Sequence, residues 1–169
     1  MASLKPPFSL KTAHEKVKFA QNMWNSQNPV QVSNGYTSDC IWRNRGFFFR
    51  GTPKIQEFLT KKWEKEASYR LRKELFAFTD DKIAVQFWYE FQDRHDNMKW
   101  KRCYGLEDWT FDRESGKMRK RMMSGNEILL GKDGDGVAVP EEDIQGRWFV
   151  DGVDVDDDSV TAKITEAHW

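Results

Sequence analysis

Lys82-Ile-Ala-Val-Gln-Phe-Trp-Tyr-Glu-Phe-Gln-Asp-Arg94 sets Ile83, Val85, Phe87, Tyr89 and Phe91 on one face of an extended chain, and Ala84, Gln86, Trp88 and Glu90 on the other. Successive strand side chains point to opposite faces, so an apolar period of two marks a half-buried strand with one face in a core. The opposite face is mixed, and Trp88 beside Glu90 suits contact with another layer or subunit. Similar extended patterns cover Tyr69–Phe78, Lys99–Asp112 and Lys117–Ile128. Asp80-Asp81, His95–Met98 and Glu114–Gly116 supply the turns between them, which makes an antiparallel meander more economical than a parallel sheet. Gly105, followed by the acidic pair Glu107 and Asp108, breaks the alternation and predicts either a local change of register or a close approach of another group.

Upstream of the meander the period becomes helical. Thr12 with Glu15 forms a candidate capping box, with Leu10 bracing the entry, and Ala13, Val17, Ala20 and Trp24 form a stripe widened by Phe19 and Met23. A short helix is expected within Pro29–Tyr36, and a strand over Cys40–Asn44 leads into Phe47, Phe48 and Phe49. A third helix starts at Thr52-Pro53 and buries Ile55, Phe58, Leu59, Trp63 and Ala67. Helices followed by a meander define an α+β fold, in which a curved antiparallel sheet wraps Phe19, Trp24, Phe58 and Trp63 and encloses a pocket.

The chain has 169 residues, the length of one domain, and its 27 basic and 27 acidic residues cancel. That balance gives no support to nucleic acid as a partner. The cancellation hides two unlike parts, a basic body over residues 1–130 and an acidic C-terminal extension over residues 131–169. In the extension, Gly131-Lys-Asp-Gly-Asp-Gly136 reads as a joint, and Trp148 and Trp169 are candidate anchors onto the body or a partner subunit. The first ten residues carry no apolar leader and no segment has the length of a membrane span, so a cytoplasmic protein without membrane attachment is expected. Cys40 and Cys103 are isolated and read as reduced, buried thiols. His14, His95 and His168 show no metal-ligand spacing, and no phosphate loop or dinucleotide fingerprint occurs, so neither a metal nor a cofactor is expected.

The residues that can carry chemistry cluster near the predicted strands. Arg43 or Arg102 can hold a carboxylate or enolate, and Tyr89 or Tyr104 can orient a carbonyl oxygen. Glu107 is the candidate proton carrier, because it lies in the irregular segment beside Tyr104; pairing with Arg102 or Arg121 would lower its pKa and weaken it as a base. The competing reading is that the arginines form solvated faces or pair with Glu90, Glu107 and Asp108. Trp42, Trp63 and Tyr89 suit either a core or the wall of an apolar cavity.

The segments Cys40-Ile-Trp-Arg-Asn-Arg45, Phe58-Leu-Thr-Lys-Lys-Trp63, Tyr69-Arg-Leu-Arg-Lys-Glu-Leu-Phe-Ala-Phe78, Ile83-Ala-Val-Gln-Phe-Trp-Tyr-Glu90 and Arg102-Cys-Tyr-Gly-Leu-Glu-Asp-Trp-Thr-Phe111 resemble the SnoaL-like branch of the nuclear transport factor 2-like (NTF2-like) superfamily. Within that branch they resemble the DUF1348 group, and the likeness runs over roughly Pro7 to Leu130. The resemblance implies a cone or half-barrel, a homodimer formed through the sheet, and a pocket for a small hydrophobic or amphipathic organic ligand. It implies Trp42, Arg43, Asn44, Trp63, Tyr89, Arg102, Tyr104, Glu107 and Asn126 as pocket candidates; with the residue reading, which adds Arg121 to the ligand-binding set, Glu107, Tyr104 and Arg102 are the catalytic candidates. The resemblance does not imply one reaction; the leading expectation is an enzyme for cofactor-independent proton transfer, hydration or cyclisation of a small carbonyl compound. The alternatives are a noncatalytic small-molecule binder or a dimeric interaction module. Leu106 stands where the family often has Asn, and Met123-Ser-Gly-Asn-Glu127 departs from the family's usual segment.

Overall fold

A computed structural model describes residues 4–131 and 146–165. Helix α1 (Leu10–Asn25) begins earlier than its sequence reading, because Ser9 takes the cap. The Ser9 hydroxyl accepts from the Thr12 amide at 3.2 Å, while the Thr12 hydroxyl accepts from the Ser9 amide at 2.9 Å. Thr12 thus sits in a capping box as its third helical residue rather than as its cap. Ala13, Val17 and Trp24 are buried as expected, with Gln21 among them, whereas Phe19 lies off the stripe and is 49% exposed. Helix α2 (Pro29–Ser33) is capped by Asn28 and stops before Asn34-Gly35. Helix α3 (Thr52–Lys65) has Gly51 as its cap residue at a φ of 93°, and buries Ile55, Leu59 and Trp63.

One six-stranded sheet holds β1 (Tyr36–Asn44), β2 (Phe47–Arg50), β3 (Glu66–Phe78), β4 (Lys82–Asp93), β5 (Lys99–Phe111) and β6 (Met118–Leu129), in the spatial order β2-β1-β6-β5-β4-β3. The last four strands form the expected antiparallel meander. The sheet is nevertheless mixed, because β1 pairs with β6 in parallel. The run from β2 through α3 and the meander supplies the long crossover that a parallel pair requires. The helices fill the concave side, where Trp24, Trp42, Ile55, Leu59, Trp63, Tyr69, Phe87 and Phe91 share one core.

Register is continuous between β4 and β5 from Lys82 opposite Thr110 to Asp93 opposite Lys99, so the register change anticipated near Gly105 does not occur. Gly105 answers a steric demand instead. A Cβ added there would lie 1.8 Å from Cζ of Phe87, whose ring lies over the Gly105 backbone on the concave face. Gly105→Ala is therefore expected to destabilise the fold by about 1–3 kcal/mol through overpacking. Urea unfolding checks this, and a midpoint equal to that of the unaltered chain would mean that Phe87 can swing into open space without cost.

The convex face is covered by the chain's own C-terminal segment. Trp148, Phe149, Val155, Val160 and Ile164 form a second apolar cluster with Trp88, closed by the short helix α4 (Asp158–Thr161). Arg72 donates to the Val155 carbonyl at 3.1 Å, Arg70 donates to the Val150 and Val153 carbonyls, and Asp156 meets Lys18 and Gln21 at 2.8 Å each. The acidic segment therefore docks on basic side chains, with Trp148 as an apolar anchor. The proposed joint from Lys132 onward and Trp169 lie outside the described residues. No helix among the described residues is long and apolar enough to cross a membrane.

Candidate functional site

The curvature of the sheet leaves a cavity of about 720 Å³ between its concave face and the helices. Strand alternation decides which side chains reach it. On β3 the inward positions are Tyr69, Leu71 and Lys73; on β4 they include Phe87 and Tyr89; on β5 Glu107; and on β6 Arg121, Met123 and Glu127. Trp24 from α1 and Phe58 from α3 complete an aromatic wall.

The cavity floor is ionic. Glu107 Oε1 accepts from Arg121 Nη2 at 2.6 Å, and its Oε2 accepts from Trp109 Nε1 at 2.6 Å and Lys73 Nζ at 3.0 Å. Arg121 Nη1 donates to Asn44 Oδ1 at 3.2 Å. Lys73, Glu107 and Arg121 are nearly inaccessible, at 1%, 5% and 2% exposure. Two cations therefore share one carboxylate in a buried site, leaving an excess positive charge with no second anion in the cluster among the described residues. Part of its field falls on aromatic faces: Lys73 Nζ lies 4.7 Å from the Phe87 ring centre, and the Arg121 guanidinium 4.3 Å from that of Trp42. Arg121 Nε has no hydrogen-bond acceptor among the described residues.

This arrangement sets the protonation chemistry. Burial would raise the Glu107 carboxyl, but the charges and hydrogen bonds of Arg121 and Lys73 outweigh it and hold the group down at about 2. Burial, reinforced by repulsion from Arg121, outweighs the pull of Glu107 on Lys73 and brings its ammonium down to about 8. A carboxylate so easily ionised, with both oxygens occupied, is a poor general base. An amine near neutrality is a better one.

A second buried pair flanks the wall, where Lys62 Nζ meets Glu66 Oε2 at 2.5 Å and lies 4.2 Å from the Tyr89 ring centre. Burial pushes the Glu66 carboxyl up and pushes the Tyr69 and Tyr89 hydroxyls well above their ordinary value, so both tyrosines stay protonated. Lys54, Lys61 and Lys65 stand at the mouth with Glu57, beside the exposed Phe47 and Phe48.

The sequence-predicted residues divide by strand parity. Glu107, Asn44, Tyr89 and Arg121 meet at the cavity. Trp42 and Trp63 lie behind its wall, Trp42 stacked on Trp24 at 6.0 Å and Trp63 edge-on to Trp24 at 5.9 Å. Arg43 turns aside to the Arg45 and Met123 carbonyls, at 3.0 Å each. Arg102 and Tyr104 face the convex side, where Arg102 pairs with Glu90 at 2.8 Å and Tyr104 packs edge-on against Trp148. Asn126, opposite Tyr104 in register, is exposed on that same side. The expectation that Arg102 and Tyr104 join Glu107 at one site is thus corrected: with no register change at Gly105, even and odd positions of β5 stay on opposite faces. Lys73 was missed. Its signal is a lysine at the inward parity of Tyr69, Leu71 and Leu75, where a charge on an apolar face requires a partner.

A family model described as a protein of unknown function (DUF1348) matches residues 6–135. No curated protein matches the chain. Among solved structures, the epoxide hydrolase/cyclase-like enzyme SalBIII of salinomycin pyran-ring formation superposes with a TM-score of 0.60 at 14% identity, covering 69% of this chain and 92% of that one. The BvnE pinacolase from Penicillium brevicompactum does so at 0.59 and 12% identity, covering 70% and 89%. A Type2 hexachlorocyclohexane dehydrochlorinase, LinA, gives 0.60 at 11% identity, covering 76% and 94%. At these identities the likeness is one of fold, the NTF2-like cone.

Proposed function

We propose, from the premise that the chain belongs to the DUF1348 family of proteins of unknown function, that its cavity performs cofactor-independent proton transfer on a small amphipathic carbonyl compound. The observation that carries this reading is the Lys73 amine on the floor of a cavity with an aromatic wall, beside a carboxylate already satisfied by Arg121 and Trp109. In this reading the neutral amine removes a proton from the carbon next to the carbonyl, and the electron pair moves onto the carbonyl oxygen. The excess positive charge of the floor, with the unused Arg121 Nε, stabilises that oxyanion. Tyr69, Phe87 and Tyr89 hold the apolar part of the ligand. Return of the proton to the same or another carbon completes exchange or isomerisation. Glu107 keeps the amine in place and transfers no proton itself.

That fold neighbours include a cyclase-like enzyme, a pinacolase and a dehydrochlorinase supports the cone as a frame for small-molecule chemistry. A noncatalytic binder is the second reading, favoured by the 3.0 Å contact that can keep Lys73 locked to Glu107. Deuterium uptake by 4-phenyl-2-butanone in D2O, followed by proton NMR, separates the two. The full chain is expected to accelerate exchange, with a rate that rises as pH passes about 8 and Lys73 loses its proton; Lys73→Met is expected to show the uncatalysed rate. Saturable binding without exchange would favour the binder, and neither binding nor exchange would remove the proposal.

A further inference from the structure

We propose that Lys73 is also a nucleophile, and that the cavity captures aldehydes and ketones as a Schiff base on its Nζ. The inference rests on reading the cavity as a carbonyl site and deepens it by naming the covalent state that such a ligand reaches there. Three features of the floor converge on it. First, Lys73 can become neutral without stranding Glu107, whose carboxylate keeps Arg121 at 2.6 Å and Trp109 at 2.6 Å. Second, the product fits the charges already present. A protonated imine nitrogen carries the same single positive charge as the ammonium, so it takes over the place 3.0 Å from Glu107 Oε2 and the surrounding ring faces of Phe87, Trp109 and Trp24. Third, Lys73 is only 1% exposed, with the Phe87, Trp109 and Trp24 rings around its Nζ, which shields the imine from hydrolysis once formed.

The step balances once the proton that the Lys73 ammonium gave up to solvent is counted back in. The Nζ lone pair forms a bond to the carbonyl carbon as the C=O π pair moves to oxygen. A proton passes from nitrogen to that oxygen to give a neutral carbinolamine. A further proton, returned from solvent through the cavity mouth in place of the one the ammonium released, lets the hydroxyl leave as water while the nitrogen lone pair forms the C=N bond, giving the iminium ion. Nothing is oxidised or reduced, and one water is released.

Lys16 supplies an internal control. Burial lowers its ammonium to about 8 as well, and it lines a separate cavity of about 270 Å³. Its Nζ, however, donates to the Gly116 carbonyl at 3.0 Å instead of a carboxylate, so an iminium there could keep a hydrogen bond to a neutral carbonyl but would meet no counter-charge in that contact. Titration alone would make the two lysines equally reactive; the charge arrangement favours Lys73.

The test is to incubate the full chain with cinnamaldehyde and sodium cyanoborohydride, which reduces an iminium to a stable secondary amine, and to locate the adduct by intact mass and peptide mapping. A single dominant adduct on Lys73 is expected. It should disappear in both Lys73→Met and Lys73→Arg while circular dichroism remains that of the folded chain. If both variants unfold, the map of the unaltered chain decides alone. Adducts spread over Lys54, Lys61, Lys65 and Lys16 with Lys73 unmodified overturn the inference, as does equal labelling of Lys16 and Lys73. Deuterium exchange without a Lys73 adduct removes the nucleophile and leaves proton transfer standing. A Lys73 adduct without exchange keeps the nucleophile and removes proton transfer.

Discussion

Glu107→Gln is expected to lower folding stability by about 3–5 kcal/mol, the cost of removing one partner from a buried ion cluster. The substitution leaves Lys73 and Arg121 inside the fold with no carboxylate between them, although the amide oxygen can still accept one hydrogen bond. Lys73 then sheds its proton more readily, so its pKa should fall below about 8. Adding Lys73→Met to Glu107→Gln should recover part of the loss, because one of the two unpaired cations is gone; a double-mutant cycle measures that coupling. The acid limb gives an independent reading. A carboxyl held below its ordinary 4.5 contributes stability that is fully present above that value and is lost as pH falls through it toward about 2. The unaltered chain should therefore weaken across that window, and the Glu107→Gln chain should show a shallower slope. An unchanged urea midpoint together with an unchanged acid slope would mean that the floor is solvated and that the buried charge cluster does not form.

Glu90→Gln is expected to cost a similar amount, about 3–5 kcal/mol, and to release the C-terminal segment from the convex face. Glu90 is fully buried and accepts four N–H groups: the Trp148 and Phe149 amides at 3.0 and 2.7 Å, and Arg102 Nε and Nη2 at 3.0 and 2.8 Å. One carboxylate thus fastens the returning backbone and neutralises the arginine beneath it. The guanidinium of Arg102 in turn stacks 3.7 Å from the Trp148 ring centre. Gln can satisfy fewer of these donors and carries no charge to balance Arg102. Limited proteolysis should cut the Glu90→Gln chain beyond Gly146 faster than the unaltered chain, and light scattering should detect association as Trp88 and Tyr104 become accessible. Unchanged protection of the segment would show that the apolar contacts of Phe149, Val160 and Ile164 hold it without Glu90. Removal of residues after Leu130 is the extreme form of the same test. A truncated chain with unchanged stability and association would show that the docked segment contributes nothing.

Much of this architecture was legible because it depends on local pattern. The alternation over Lys82–Arg94 identifies the inner face of β4, and the three turns fix a meander. The spacing of Ile55, Leu59 and Trp63 identifies the buried stripe of α3. Ser9 escaped as a cap because Thr12-Glu15 offers an equally regular box three residues on. The parallel pairing of β1 with β6 escaped because no residue in either strand specifies a neighbour more than seventy positions away. At the site, Tyr89 was legible from the apolar face of its strand, Glu107 from the irregular segment it lies in, and Asn44 and Arg121 from the cluster of polar residues near the predicted strands. Arg102 and Tyr104 were misplaced because Gly105 was allowed to shift the register, when its demand is the space taken by the Phe87 ring.

By itself the sequence determined the order of helices and strands, the faces of each, and the division into a basic body and an acidic extension, because periodicity and charge are properties of neighbouring residues. Only the tertiary structure decided that Lys73, Glu107 and Arg121 from three strands share one buried floor, and that the acidic segment closes the opposite face of the sheet. Proton affinity in such a cluster depends on distances between groups far apart in the chain and on the water excluded from among them, so it exists only once the sheet has curved around its helices.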